Sequence, residues 1–317
     1  MADAERVEYY SFTPDDLRVD ARTPGISAFM RIKNGADFLE PTIRSHIAHF
    51  DEIVAVYNQC TDATPAILSR LAQEYGRKLR VFHYVPRVFP PGSEEHAKEP
   101  ADSPHSLVNY YNFTLAQTRW RWATKLDDDH LAMGPALGEL TGRIRTGAFG
   151  TDTMVCFGGI NLTRGVDGNY GVLSGDRLSG SGDIGFFPVS PYTFFKRDVR
   201  FERFHRGRLK RRFAGLVYWH LKYLKPDFGF ANYELQQNPG SRYRRKLSEL
   251  QKHRTVVGLS EARGHARPTL WPRSLLPEKA RLLRDRQHAL HASRLTDADL
   301  REALRTIGIS AESSPPA

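Results

Sequence analysis

An α/β fold with a mixed, mostly parallel sheet flanked by helices is what this sequence predicts, and three observations predict it. Short β-rich apolar runs alternate with helical-period segments between residues 26 and 126. Breakers such as Thr23-Pro24-Gly25 set the start of that pattern. An acidic cluster, Asp127-Asp128-Asp129, follows directly on the last of those runs, where parallel sheets gather their ligands.

In order, Ile26 to Ile32 reads as a strand, and Ala36 to Phe50 as a helix carrying Phe38, Leu39, Ile43, Ile47 and Phe50 at helical spacing. Glu52 to Tyr57 is the next strand, Ala63 to Tyr75 a helix with Ile67, Leu68 and Leu71 on one face, and Leu79 to Val85 a third strand. Pro86 to Pro104 reads as a long surface loop. Ser106 to Arg119 resumes as a helix, Trp122 to Leu126 is a strand, and Pro135 to Arg145 a helix. From Met154 to Phe195 glycines and short apolar runs predict an irregular antiparallel half that wraps an acceptor. The expected division is an N-terminal extension (1–24), a catalytic domain (25–240) and a basic helical C-terminal extension (241–317).

The chain has 317 residues and a formal charge of +10, so an anionic partner is expected. No apolar run approaches the about 18 residues of a membrane span, and the acidic start is not that of a signal peptide, which predicts a cytoplasmic protein. Cys60 and Cys156 make neither a disulfide framework nor a zinc motif. The basic, aromatic run Phe204 to Lys225 reads either as a stretch lying peripherally on an anionic membrane or as a core helix behind a basic turn.

Three adjacent acids repel one another unless water or a cation compensates, which points to a hard divalent metal, Mg²⁺ or Mn²⁺. In an extended segment alternate residues point the same way, favouring Asp127 and Asp129 as the working pair.

The stretches TPGISAFMRIKNGADFLE, VYNQCTDAT and LVNYYNFTLAQTRWRWATKLDDDH, in that order, resemble the family 2 type of glycosyltransferases with the A-type nucleotide-sugar-binding fold. The resemblance implies a nucleotide-sugar donor held by Arg31, Lys33, Asn34, Asn58, Asp62, Asn112, Asp127 and Asp128, with Asp127 and Asp129 as its Asp-x-Asp motif. It departs at Tyr57 and Asn58, which stand where an acidic pair is usual, and at His130, which stands for a fourth acid; the donor base is left open. It further implies a late basic cluster in GLVYWHLKYLK, with His220 as a metal ligand and Lys222 beside the leaving diphosphate. Asp183, in the glycine-rich segment GDRLSGSGDIGFFP, is the expected general base of an inverting transfer. The acceptor is expected to be a glycan or lipid-linked hydroxyl in capsule, lipopolysaccharide or exopolysaccharide assembly. Nucleotidyl transfer is the rival chemistry, but MRIKNGAD is a poor phosphate loop. Nucleic-acid binding, suggested by the charge, fits badly with an acidic triplet at the head of the pocket.

Overall fold

The computed structural model describes residues 4–20, 22–180, 184–198, 202–237, 242–266, 272 and 275–310. Its first half holds β1 (Glu5–Val7), β2 (Thr23–Ile32), α1 (Leu39–His46), β3 (Glu52–Tyr57), α2 (Thr64–Tyr75) and β4 (Leu79–Tyr84). There follow α3 (Glu94–Lys98), α4 (Leu107–Ala116), β5 (Trp120–Lys125), β6 (His130–Ala132) and α5 (Gly134–Arg145). The second half holds β7 (Thr153–Arg164), β8 (Tyr170–Leu173), β9 (Leu178–Ser179), β10 (Gly185–Pro188), β11 (Phe194–Arg197), β12 (Glu202–His205) and β13 (Lys210–Tyr223). The chain closes with α6 (Arg242–Lys252), β14 (Val256–Val257), α7 (Leu259–His265), α8 (Glu278–Ala292) and α9 (Asp297–Thr306).

The main sheet runs β1-β4-β3-β2-β5-β10-β7-β13-β6. Its first five strands are parallel, β10 is antiparallel to β5 and β7, β13 is parallel to β7, and β6 is antiparallel to β13. Strands covered on both faces need apolar side chains throughout, and Ile53 to Val56 in β3 are all buried. On one face α1, α2 and α5 pack Leu39, Ile43, Leu68, Leu71, Leu137 and Ile144 against β2 and β3. α4 lies on the other face, buried from Leu107 to Leu115. Each large side chain sealed there contributes about 1.5–3 kcal/mol before the loss of chain entropy.

Several expected boundaries move. β2 starts at Thr23, through the Pro24-Gly25 pair read as a loop, because the backbone bulges between Thr23 and Ile26 against β5. Gly25 takes a φ of 154°, and a Cβ there would stand 2.3 Å from the Trp120 ring. The expected surface loop contains α3, capped by the Ser93 hydroxyl. The N-terminal residues are not a loose extension, since β1 extends the sheet beside β4 and Asn109 of α4 bonds Tyr10 and Phe12.

The largest correction is β13. Phe204 to Lys225 does not form a helix: it spans β12 and a 14-residue strand whose Leu216 to Trp219 and Leu221 are buried between β7 and β6. Its apolar side is therefore already covered by protein and cannot lie in a lipid boundary. Burial alternates from His220 to Tyr223, with Leu221 and Tyr223 buried and His220 and Lys222 half-buried, as in a strand whose two faces differ. The second half is also more regular than expected, with β7 running 12 residues. The C-terminal segment is helical as expected but packs into the core: Leu259, Leu290, Leu300 and Leu304 join Ile160, Leu162 and Trp219, and β14 pairs with β8.

Candidate active site

The acidic triplet occupies the link between the two halves of the sheet. β5 continues to Leu126, whose N–H reaches the Phe29 carbonyl at 3.0 Å, and Asp127 to Asp129 then cross into β6. Leu221 N–H donates to the Asp129 carbonyl at 2.7 Å, and the Thr42 hydroxyl to that of Asp128 at 3.1 Å. Both halves therefore hold the backbone that presents the carboxylates.

Two lysines compensate the acids. Lys125 Nζ lies 3.0 Å from Asp127, and Lys225 Nζ lies 3.1 Å from Asp128 Oδ1 and 3.4 Å from Asp129 Oδ2. Burial opposes ionisation of Asp129, but the Lys225 ammonium beside it outweighs this and holds the carboxyl well below the usual range. At Asp127 burial is likewise outweighed, chiefly by Lys125, and the pKa falls. Asp128 is different: burial dominates despite Lys225 and pushes its carboxyl up to about 6. The outcome is two firmly ionised carboxylates flanking one poised to take a proton.

Asp129, His130 and His220 bring their ligand atoms within 4.8 Å of one another. Asp129 Oδ1 and His130 Nε2 are buried without a hydrogen-bond partner, and His220 Nε2 is 3.5 Å from Asp129 Oδ1. Burial lowers the His130 pKa to about 3, so its ring is neutral and has a lone pair to offer. Orphaned buried acceptors converging on one point are what a cation would satisfy, so the residues fit a divalent metal. Asp127, expected beside Asp129 and His220 as a ligand, has its carboxylate 3.0 Å from Lys125 Nζ and 3.9 Å from His130 Nε2.

The other expected donor residues divide. Arg31 lies against Tyr111, 2.6 Å from its hydroxyl and 4.1 Å from its ring centre, on the same side of the fold as Asp127. Lys222 rests 4.4 Å above the Phe230 ring, and burial lowers its pKa against the pull of Asp129. Asp128 faces Gly35, where a Cβ would come 2.2 Å from Oδ2, so only glycine fits.

Asn34, at a φ of 51°, accepts from Thr61 N–H, while Asp62 accepts from Ala36 and Thr64, so both brace the loops after β2 and β3. The Lys33 carbonyl receives Asn232. The amide of Asn58 is used up inside the protein, donating to Tyr84 and Pro86 and accepting from Val88. Asn112 is equally engaged, exchanging both its bonds with the backbone of Phe195. In this arrangement the bonds of those two side chains go to the protein's own backbone. Asp183 lies outside the described residues.

Sequence reasoning missed Lys125, Lys225 and His130 as a ligand. Lys125 and His130 directly flank the triplet, and a strand ending in Lys followed by three acids was the available signal. Lys225 is 96 residues beyond Asp129, and only the pairing of β13 with β6 brings it back.

Residues 7–137 match the family described as Beta-1,4-N-acetylgalactosaminyltransferase (CgtA). No curated protein matches the chain. Among solved structures, glucosyl-3-phosphoglycerate synthase from Mycobacterium tuberculosis in complex with Mg²⁺ and uridine-diphosphate is 18% identical, with 49% of this chain and 50% of that chain covered and a TM-score of 0.30. The same enzyme with Mn²⁺, uridine-diphosphate-glucose and phosphoglyceric acid is 18% identical over 50% and 51%, also at 0.30. A further structure of the M. tuberculosis enzyme is 20% identical over 48% and 51%, at 0.28. This chain spans about half the length of those structures. The family match covers β2 to β5 and the whole acidic triplet, which is the half of the sheet where the strands run parallel.

Proposed function

We propose that the protein moves a sugar from a nucleotide-diphosphate sugar to an acceptor hydroxyl, with a divalent metal seated at Asp129, His130 and His220. The observation that carries this reading is the convergence of three ligand atoms, two of them buried and without partners, where the halves of the sheet meet. Mixed oxygen and nitrogen donors favour Mn²⁺ over Mg²⁺, which prefers oxygen. Bound there, the metal would supply positive charge to the departing diphosphate.

The chain's own residues do the rest. Lys125 and Lys225 keep Asp127 and Asp129 ionised and add fixed positive charge near the leaving group, and Lys222 brings a third cation to the same side. Arg31, which donates to the Tyr111 hydroxyl at 2.6 Å, is assigned to the nucleotide in this reading. Transfer is taken to be inverting, with Asp183 accepting the acceptor's proton opposite the diphosphate. The acceptor is a glycan or a lipid-linked sugar, and the setting is bacterial surface polysaccharide assembly.

Among the described residues no helix is long and apolar enough to cross a membrane. Peripheral contact with an anionic surface would rest on exposed cations such as Arg203, Arg208, Lys210 and Arg212.

The test is a screen of nucleotide sugars for slow, Mn²⁺-dependent hydrolysis, which needs no acceptor. Hydrolysis of at least one donor, lost in Asp129→Asn and in excess chelator, supports the reading. Full activity in chelator removes the metal from it, and failure to bind or hydrolyse any nucleotide sugar removes the transfer itself.

A further inference from the structure

β7 and β13 run parallel in a register that sets Asn161 beside His220. The two side chains meet at 2.6 Å, His220 Nδ1 to Asn161 Oδ1. Which way the Asn161 amide points is decided on its other side, where Nδ2 donates to the Asp176 carbonyl at 2.7 Å. Turning the amide over would set one carbonyl oxygen against another in a buried place. Oδ1 therefore faces the ring, and Nδ1 must bear the hydrogen.

His220 Nε2 then points a lone pair toward Asp129 Oδ1, 3.5 Å away and itself unpartnered. Lys225 does not relieve this, since it binds the opposite oxygen, Oδ2. A lone pair facing a buried, unpartnered carboxylate oxygen is unfavourable unless a cation stands between them.

We infer that Asn161 is a positioning residue: it locks His220 as the Nδ1–H tautomer and so presents Nε2, together with Asp129, to the metal. This rests on the metal reading above and adds the residue that orients one ligand. The support is rigid. The turn carrying the Asp176 carbonyl is clamped through its own side chain by the Tyr223 hydroxyl at 3.0 Å and by Lys246, and Asn161 N–H bonds Arg177.

Two variants separate orientation from simple bracing. Asn161→Asp keeps an acceptor for Nδ1–H but loses the donor to Asp176, whereas Asn161→Leu loses both. Mn²⁺ binding is read by loss of the free-ion electron paramagnetic resonance signal, and the tautomer by ¹⁵N resonances of the His220 ring in metal-free protein. The expected result is affinity within a few-fold of wild type for Asn161→Asp and weaker by about 10- to 100-fold for Asn161→Leu, with Nδ1 protonated in wild type. Equal weakening in both variants overturns the proposal, because the residue would then only brace the turn. A wild-type ring protonated at Nε2 alone also overturns it, and that measurement stands even if Asn161→Leu fails to fold. If wild type and Asp129→Asn both leave Mn²⁺ free, the metal reading itself fails. Tight binding by wild type and unchanged binding by Asn161→Leu removes only the role of Asn161.

Discussion

Replacing Lys225 with methionine removes one charge while keeping most of the stem's volume, and it strips two carboxylates of their shared cation. Lys225 Nζ is 3.1 Å from Asp128 and 3.4 Å from Asp129, and the three side chains are only 10%, 16% and 9% exposed. Breaking a buried pair from one side is expected to destabilise by about 3–5 kcal/mol, because the abandoned charge stays in the interior. The loss depends on pH in a definite direction. The Asp128 carboxyl already sits near 6 in the folded protein, above its ordinary value, and rises further without Lys225. The folded state then binds more protons than the unfolded one below that pKa, so stability returns as pH falls and is lowest in alkali. Mn²⁺ acts in the same direction: at about 100 times its dissociation constant it adds about 2.7 kcal/mol. Urea unfolding of both proteins at pH 8 and pH 5.5, in chelator and in Mn²⁺, checks each term. A difference below about 1 kcal/mol at pH 8 in chelator would refute the view that Lys225 compensates the triplet.

Three further outcomes are expected. Gly159→Ala should destabilise by about 1–3 kcal/mol and weaken Mn²⁺ binding, since its Cβ would stand 2.3 Å from the buried Tyr218 ring that stacks on His130; urea midpoints matching wild type would contradict this. Burial holds the His46 pKa down to about 4, so its contribution is complete above about pH 6.5 and is lost as pH falls through 4, about 3 kcal/mol in all. His46→Leu should accordingly lose less stability than wild type between pH 7 and pH 4, and equal losses would rule His46 out. Asp183→Asn should lower turnover by about 10²- to 10⁴-fold with donor affinity little changed, and near-normal turnover in a folded protein would end its candidacy as base.

The parallel half was readable because its signals are local. Ile26 to Ile32 and Glu52 to Tyr57 are apolar runs of strand length, and DDDH follows the last strand without a gap. What escaped the sequence depends on pairings between distant residues. β13 carries cations on its exposed stretch and large apolar groups on its buried stretch, a composition that suits a helix equally well until β7 and β6 are placed on either side. Asn58 and Asn112 sit at motif positions, but whether an amide meets a ligand or a backbone depends on the segments around it, here the loop at Pro86 and strand β11 at Phe195. Asn161 belongs to no motif, and only its register with His220 gives it a role.

The triplet's position also sets when in the life of the chain a working site can first exist. The strands ending at Lys125 find their partners within the first 125 residues, apart from the junction of β5 with β10. Asp129 is different, because its carbonyl waits for Leu221 and its carboxylate for His220 and Lys225. During synthesis Asp129 must therefore leave the ribosome 96 residues ahead of Lys225, the cation it shares with Asp128. Pairings of such separation close slowly, so the nascent protein passes through a stage in which the donor-binding half has a core while three aspartates remain in water. Activity should consequently appear as the final event of folding, after most secondary structure has formed.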